Sequence, residues 1–195
     1  MINGKLKARI INGEEYPPFL EDAPGVTMIY PQDKSFRGKG VYPKWALGHK
    51  LFSMTPLMFV LATIWLREHN RVCDIMAREH PDWNDERIYQ TVRWIILGEL
   101  LTITGGEYVQ HLAQYKLKFG YKPQLFHDAP VVFSNQMQYE FNLIFQWYQT
   151  MPDMFSIQGR YYNLSNLMFS NNRIVFEHGL DAIVDAMGRN PAGEV

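Results

Sequence analysis

The chain holds a single cysteine, Cys73, so no internal disulfide can form and the redox compartment is left open. Long hydrophobic runs are missing as well. The longest, around Leu57 to Leu66, is too short to span a bilayer as a helix. Neither sign of charge dominates: 19 Lys and Arg stand against 20 Asp and Glu. A formal net charge of −1 gives no electrostatic case for nucleic acid or an acidic membrane surface as a partner. Met1-Ile2-Asn3-Gly4-Lys5 lacks the apolar core of a signal peptide. The expectation is a soluble chain, or a soluble piece of a longer one, with no transmembrane span and no assigned compartment. None of the six histidines (His49, His69, His80, His111, His127, His178) has the spacing across an intervening Glu that zinc hydrolases use. No Ser, His and Asp pattern suggests a hydrolase nucleophile, and there is no internal repeat.

What the chain does have is apolar bulk. With 195 residues, 47% hydrophobic and 14% aromatic, it can build one domain with a core, or a large part of a bigger one. Residues 1–42 carry scattered Gly and Pro and short alternating runs such as Lys7 to Ile11, a loop-rich lead-in with at most a hairpin. Residues 43–195 read as helical. Thr55-Pro56 has the form of an N-cap followed by proline at the first helical position, and that helix should run to His80, stopped by Pro81. Asn84 should cap the next, with Asp85 and Glu86 favouring its N-terminal dipole. Ile88, Val92, Ile95, Ile96 and Leu100 give it helical spacing. Gly105-Gly106 should weaken its middle, and Gly120 with Pro123 should end it. An aromatic helix over 137–148 and two shorter ones, near 164–169 and 172–187, complete a mainly α fold.

Five polar residues, Arg67-Glu68-His69-Asn70-Arg71, interrupt a stretch that otherwise reads as buried. Burying such groups is costly unless each finds a partner. Arg67, Glu68 and Arg71 are therefore expected to form a buried ion and hydrogen-bond cluster tying helices together, with His69 a hydrogen-bonded core histidine. The run from Thr63 to Asp74 closely resembles a helix of the animal haem peroxidases, in the version found in prostaglandin endoperoxide synthases (cyclooxygenases). Other short motifs follow in that family's order: Glu15-Tyr16-Pro17-Pro18, Met28-Ile29-Tyr30-Pro31, Glu79 to Trp83, Glu107 to Leu112, Glu140-Phe141-Asn142 and Phe176-Glu177-His178-Gly179.

The resemblance implies a central part of a haem-peroxidase catalytic domain, with haem b as cofactor and a fatty acid as substrate. The family's distal haem histidine and carboxylate-binding arginine would precede the matched region, and its substrate-positioning serine would follow it. In that family the aromatic helix carries a radical tyrosine, then a tryptophan, then the proximal haem histidine. Here Phe145 stands in the tyrosine position, Trp147 keeps the tryptophan, and Tyr148 stands in the histidine position. A phenyl ring has no O–H bond, so Phe145 cannot form the radical that abstracts hydrogen from a fatty acid. Tyr148 can ligate haem iron only as a phenolate. Bringing a phenol from about 10 towards 7 costs about 4 kcal/mol unless a cation or the iron supplies it. Simple aromatic packing is the other role open to Tyr148. By the same resemblance Val109, Leu112 and Tyr115, at i, i+3 and i+6, and Phe141, Ile144 and Trp147 on the second helix, would line an apolar substrate channel. The same spacing also describes ordinary core. Tyr108 matches the residue that hydrogen-bonds the radical tyrosine, but Phe145 offers it no acceptor.

Two functions are thus expected to compete. One is a haem-dependent fatty-acid dioxygenase and peroxidase of the prostaglandin synthase type, with Tyr148 on the iron. The other is a non-catalytic scaffold that binds an apolar ligand, self-associates, or pairs with a longer relative. Among smaller signals, Cys73 reads as a small core residue and Glu99 as a buried carboxylate. Asn163-Leu164-Ser165 meets the N-glycosylation pattern, but Asn163 reads more simply as a helix cap.

Overall fold

In a computed structural model, the described residues are 2–25, 45–116, 151–168 and 171–193, with positions 118, 120, 122, 124, 127, 128, 130, 138–140 and 143. Helix α1 (Pro56–Glu79) is the axis of the fold. Thr55 Oγ1 accepts from Met58 N at 3.3 Å, Pro56 occupies the first turn, and no proline or glycine follows until Pro81. The helix closes at His80, whose N–H donates to Met76 O at 2.9 Å. Helix α2 (Asp85–Ile103) starts where Asn84 Oδ1 accepts from Arg87 N at 2.9 Å, and Asp85 and Glu86 lie in its first turn.

Past Ile103 the ladder widens into a π-turn over Thr104–Tyr108, which contains Gly105 and Gly106, before a last α-turn, α3 (Val109–Leu112). The expected continuation to Gly120 does not occur. Gln114 and Tyr115 both take left-handed backbone (φ 49° and 56°), which no α-helix can absorb. Tyr115 N–H closes the end by donating to Gln110 O at 2.9 Å.

Two hairpins frame the helices. Strands β1 (Arg9–Ile11) and β2 (Glu14–Tyr16) are antiparallel across Asn12-Gly13, both at positive φ, the two-residue turn that matches strand twist. Strands β3 (Met154–Ile157) and β4 (Arg160–Asn163) repeat the device across Gln158-Gly159. This second hairpin interrupts a stretch expected to hold only helices and their breaks. Asn163 then caps α4 (Leu164–Leu167), accepting from Ser165 N at 3.0 Å and Ser165 Oγ at 2.6 Å. The last helix, α5 (Asn171–Arg189), breaks internally at Gly179 (φ 78°, ψ 165°), a conformation that only glycine adopts without strain. The aromatic helix expected over 137–148 lies largely outside the described residues.

Trp45 sits at the centre of the main core, almost fully buried, with the rings of Phe19, Phe59, Phe176 and Tyr16 at 4.7 to 5.9 Å. Around it pack Val60 of α1, Phe155 and Ile157 of β3, and Ile174, Val175 and Ile183 of α5. A smaller cluster, Val72 and Cys73 of α1 with Ile88 and Val92 of α2, joins the first two helices. Helix α1 therefore buries its first half against the hairpins and α5, and its second half against α2.

Candidate functional site

The polar run of α1 is a clamp on the N-terminal segment. Asn70 is buried and accepts from Leu6 N at 2.8 Å while its amide donates to Leu6 O and to Glu15 Oε2, both at 3.2 Å. His69, also buried, lies with Nε2 at 3.2 Å from Gly4 O, to which it donates. Burial pushes its pKa below the ordinary histidine value, which keeps the ring neutral and the donor in place. Arg67 Nε donates to Glu15 O at 2.7 Å, and its Nη2 reaches Glu14 Oε2 at 3.0 Å. Hydrogen bonding from Arg67 holds the Glu14 carboxyl below the usual carboxylate range.

Gly4 completes the fit. At φ 70° it lies so close to α2 that a Cβ would meet Tyr89 N at 2.7 Å and the Ile88 side chain at 2.8 Å. The segment is further tied by Asn3 N to Asp85 Oδ1 at 2.8 Å and by Lys5 Nζ to Asp74 at 2.6 Å.

This differs from the buried, helix-to-helix ion cluster expected for Arg67, Glu68 and Arg71. Glu68 and Arg71 pair with each other, at 2.6 and 2.8 Å, on the outer side of α1, where Arg71 is exposed. The reason is helical geometry. Arg67 and Asn70 are three residues apart and share a face, whereas Glu68 and Arg71 are rotated from it by about 100°. Cys73 is fully buried, and burial pushes its thiol up to about 11, so it is a packing residue. Glu99 is only partly buried, not the enclosed carboxylate its apolar neighbours implied.

The residues assigned to a substrate channel are placed unevenly. Val109 and Leu112 share a face of α3, with Val109 partly buried and Leu112 exposed. Tyr115 does not continue that face, because the helix has ended. It is exposed, with its ring edge-on to His111 at 6.5 Å between centroids. Phe141, Ile144, Phe145, Trp147 and Tyr148 lie outside the described residues. In the second half of α2, Ile96 packs on the Val72–Val92 cluster, while Trp94, Leu97, Leu100, Leu101 and Ile103 are exposed and give an apolar outer face.

A haem-iron ligand does not emerge among the described histidines. His49 caps a turn by accepting from Leu51 N, His80 stacks on Trp83 at 4.0 Å, and His69 is bonded to Gly4. His178 lies between Tyr162 and Gln158, while His111 and His127 are exposed. No group of three or more His, Cys, Asp or Glu able to hold a metal occurs among the described residues. His49, His69, His80 and His178 are thus engaged in these contacts, and Tyr148, the position that the resemblance gives to the iron ligand, lies outside the described residues.

One constellation escaped the sequence reading altogether: Tyr162 of β4, His178 of α5 and Gln158 at the hairpin tip are linked by hydrogen bonds. Its signals were Gln158-Gly159, which makes the turn, and Gly179, which breaks the helix directly after His178.

The whole chain, residues 1–195, matches the family model for animal haem peroxidase. The chain belongs to the animal haem peroxidase family. It is 41% identical over 193 residues to prostaglandin G/H synthase 2 of Bos taurus and 40% identical over 195 residues to prostaglandin G/H synthase 1 of Canis lupus familiaris. Each match covers 99% of this chain but 31% of the relative, so the chain spans about a third of the curated relatives it matches. Among solved structures, peroxidase A of Dictyostelium discoideum superposes over 100% of this chain and 37% of its own, with a TM-score of 0.73 at 22% identity. Fatty acid alpha-dioxygenase of Oryza sativa matches over 98% of this chain and 34% of its own, with a TM-score of 0.64 at 13% identity. These two establish likeness of fold. The mainly helical architecture agrees with the family, and no described helix is long and apolar enough to cross a membrane.

Proposed function

We propose that this chain is part of a haem-peroxidase domain of the prostaglandin synthase type that has kept the scaffold and an apolar ligand surface but not the tyrosyl-radical chemistry. One observation carries the reading. Identity of 41% to a prostaglandin G/H synthase runs the length of the chain, yet Phe145 and Tyr148 fall on the two positions that the family resemblance assigns to the radical tyrosine and the proximal histidine. A benzene ring cannot give up a hydrogen atom from oxygen, so fatty-acid hydrogen abstraction by the family route has no agent at Phe145. The ligand class that suits Val109, Leu112, Tyr115, Phe141, Ile144 and Trp147 is a fatty acid or a similar apolar chain.

Two measurements test this. Oxygen uptake with a polyunsaturated fatty acid, with and without added hemin, is expected to stay at the no-protein rate. Sustained uptake would sink the proposal. The competing reading, a working haem protein with Tyr148 as iron ligand, requires a Soret band on hemin addition that Tyr148→Phe removes.

A further inference from the structure

The β3–β4 hairpin and α5 meet at a phenol–imidazole pair with no part in the reading above. Tyr162 Oη lies 2.6 Å from His178 Nε2, with the two rings at 90° to each other. On the far side of the imidazole, Nδ1 lies 3.0 Å from Gln158 Oε1. An amide oxygen can only accept, so Nδ1 carries the hydrogen. Nε2 is then the bare nitrogen and accepts from the phenol. The Tyr162 proton therefore has a base already aimed at it.

The placement is built by the fold. Tyr162 pairs in register with Phe155, a residue of the main core. Gln158 is set by the left-handed turn at the hairpin tip, and the break at Gly179 ends the helical turn that presents His178. Charges also gather there. Arg160 lies 5.4 Å over the Tyr162 ring, while Glu177, next to His178 in sequence, pairs with Arg160 at 3.6 Å and Arg173 at 2.7 Å.

We propose that Tyr162 is a redox-active phenol, a site for one-electron oxidising equivalents, with His178 as its proton acceptor. In the step, one electron leaves the Tyr162 ring for an outer-sphere metal-complex oxidant, which is reduced by one electron. The Tyr162 O–H bond breaks and its proton forms a new N–H bond at His178 Nε2. A neutral tyrosyl radical and an imidazolium remain, the latter still donating from Nδ1 to Gln158, with the Glu177 carboxylate beside it. Without the imidazole, oxidation would leave a strongly acidic phenol cation waiting for water as a base. The rival site is Tyr16, which donates to Glu14 Oε2 at 3.0 Å, but that carboxylate already accepts from Arg67 and is the weaker base. Nothing in this step uses haem or the residues near Phe145.

The test uses the whole chain and a photogenerated ruthenium(III) polypyridyl oxidant, with electron-transfer rates read in H2O and D2O and the trapped radical read by EPR. A fast phase slowed in D2O is expected, absent in Tyr162→Phe and kept in Tyr16→Phe. His178→Phe should slow it by about a hundredfold, the low end of what a positioned base contributes to proton transfer. Gln158→Glu, on an exposed turn, should quicken it, because a carboxylate at Nδ1–H strengthens the base. Should His178→Phe fail to fold, Gln158→Glu decides alone. A fast phase that survives Tyr162→Phe, or a Tyr162 rate that ignores the change at Gln158, overturns the proposal.

Discussion

Removing the Asn70 side chain should release the N-terminal segment from α1. Asn70→Ala deletes three hydrogen bonds at once: one accepted from Leu6 N, one donated to Leu6 O and one donated to Glu15. A protein hydrogen bond contributes about 1 kcal/mol net, so the direct loss is about 3 kcal/mol. Two considerations bound the figure. Leu6 is only partly buried, so water can reach its backbone once the clamp is gone, and the loss cannot exceed what holds the whole segment down. Against that, the cavity left beside buried His69 adds a cost of its own. A destabilisation of about 2–4 kcal/mol is the working expectation.

Urea unfolding gives the magnitude, and amide exchange gives the location. Exchange should quicken across residues 3–16 while the Val72–Val92 cluster stays protected. Asn70→Asp discriminates further, since the isosteric carboxylate keeps the bond from Leu6 N but faces Leu6 O and the Glu15 carboxylate. It should cost more than alanine at neutral pH. A carboxyl so placed titrates above its unfolded value, so its deficit should shrink as pH falls through that range. A loss below about 0.5 kcal/mol for Asn70→Ala, with unchanged exchange, would refute the clamp.

Phe59→Ala, emptying the ring stack around Trp45, should cost about 3–5 kcal/mol in the same unfolding assay. Native Cys73 should resist alkylation at neutral pH and react at the free-thiol rate only after unfolding. Because burial raises its thiol from 9.0 to about 11, its contribution to stability is full below pH 9 and is lost as pH rises towards 11. Gln114→Gly relieves a left-handed backbone at φ 49° and should stabilise by about 0.5–1 kcal/mol, read as a raised urea midpoint. The exposed apolar face of α2 should drive concentration-dependent self-association, weakened by Leu97→Glu with Leu101→Glu. Sedimentation as a single monomer at all concentrations would refute that.

Capping chemistry was readable from the sequence because it is local. Thr55-Pro56, Asn84 and Asn163 each act on backbone groups two or three residues away, and all three cap their helices. Part of what failed depended on partners far along the chain, and part on local backbone that propensity does not signal. The Arg67–Arg71 run announced that its polar groups needed satisfaction, but not that Gly4, Leu6 and Glu15 would supply it. The early end of α3 at Leu112 rests on non-glycine residues in left-handed backbone, which propensity reads as helix. The β3–β4 hairpin hid behind Gln158-Gly159, a weaker turn signal than Asn12-Gly13. The Tyr162–His178 pair joins a strand to a helix 16 residues on, and no spacing rule covers that contact.

The clamp also bears on how strong family similarity can coexist with Phe145 and Tyr148 at the positions that the resemblance gives to the radical tyrosine and the haem histidine. Arg67, His69 and Asn70 sit in the motif that most resembles cyclooxygenases, and every hydrogen bond described for them is made to residues 4–15. Selection for folding alone would retain that motif, since losing Asn70 removes three hydrogen bonds that tie Leu6 and Glu15 to α1. Phe145 and Tyr148 answer to a different constraint. Tyrosine to phenylalanine removes one oxygen and leaves the ring to pack, which costs the fold little and the radical mechanism everything. A scaffold relieved of catalysis should therefore diverge first where chemistry is made and last where the chain is tied down.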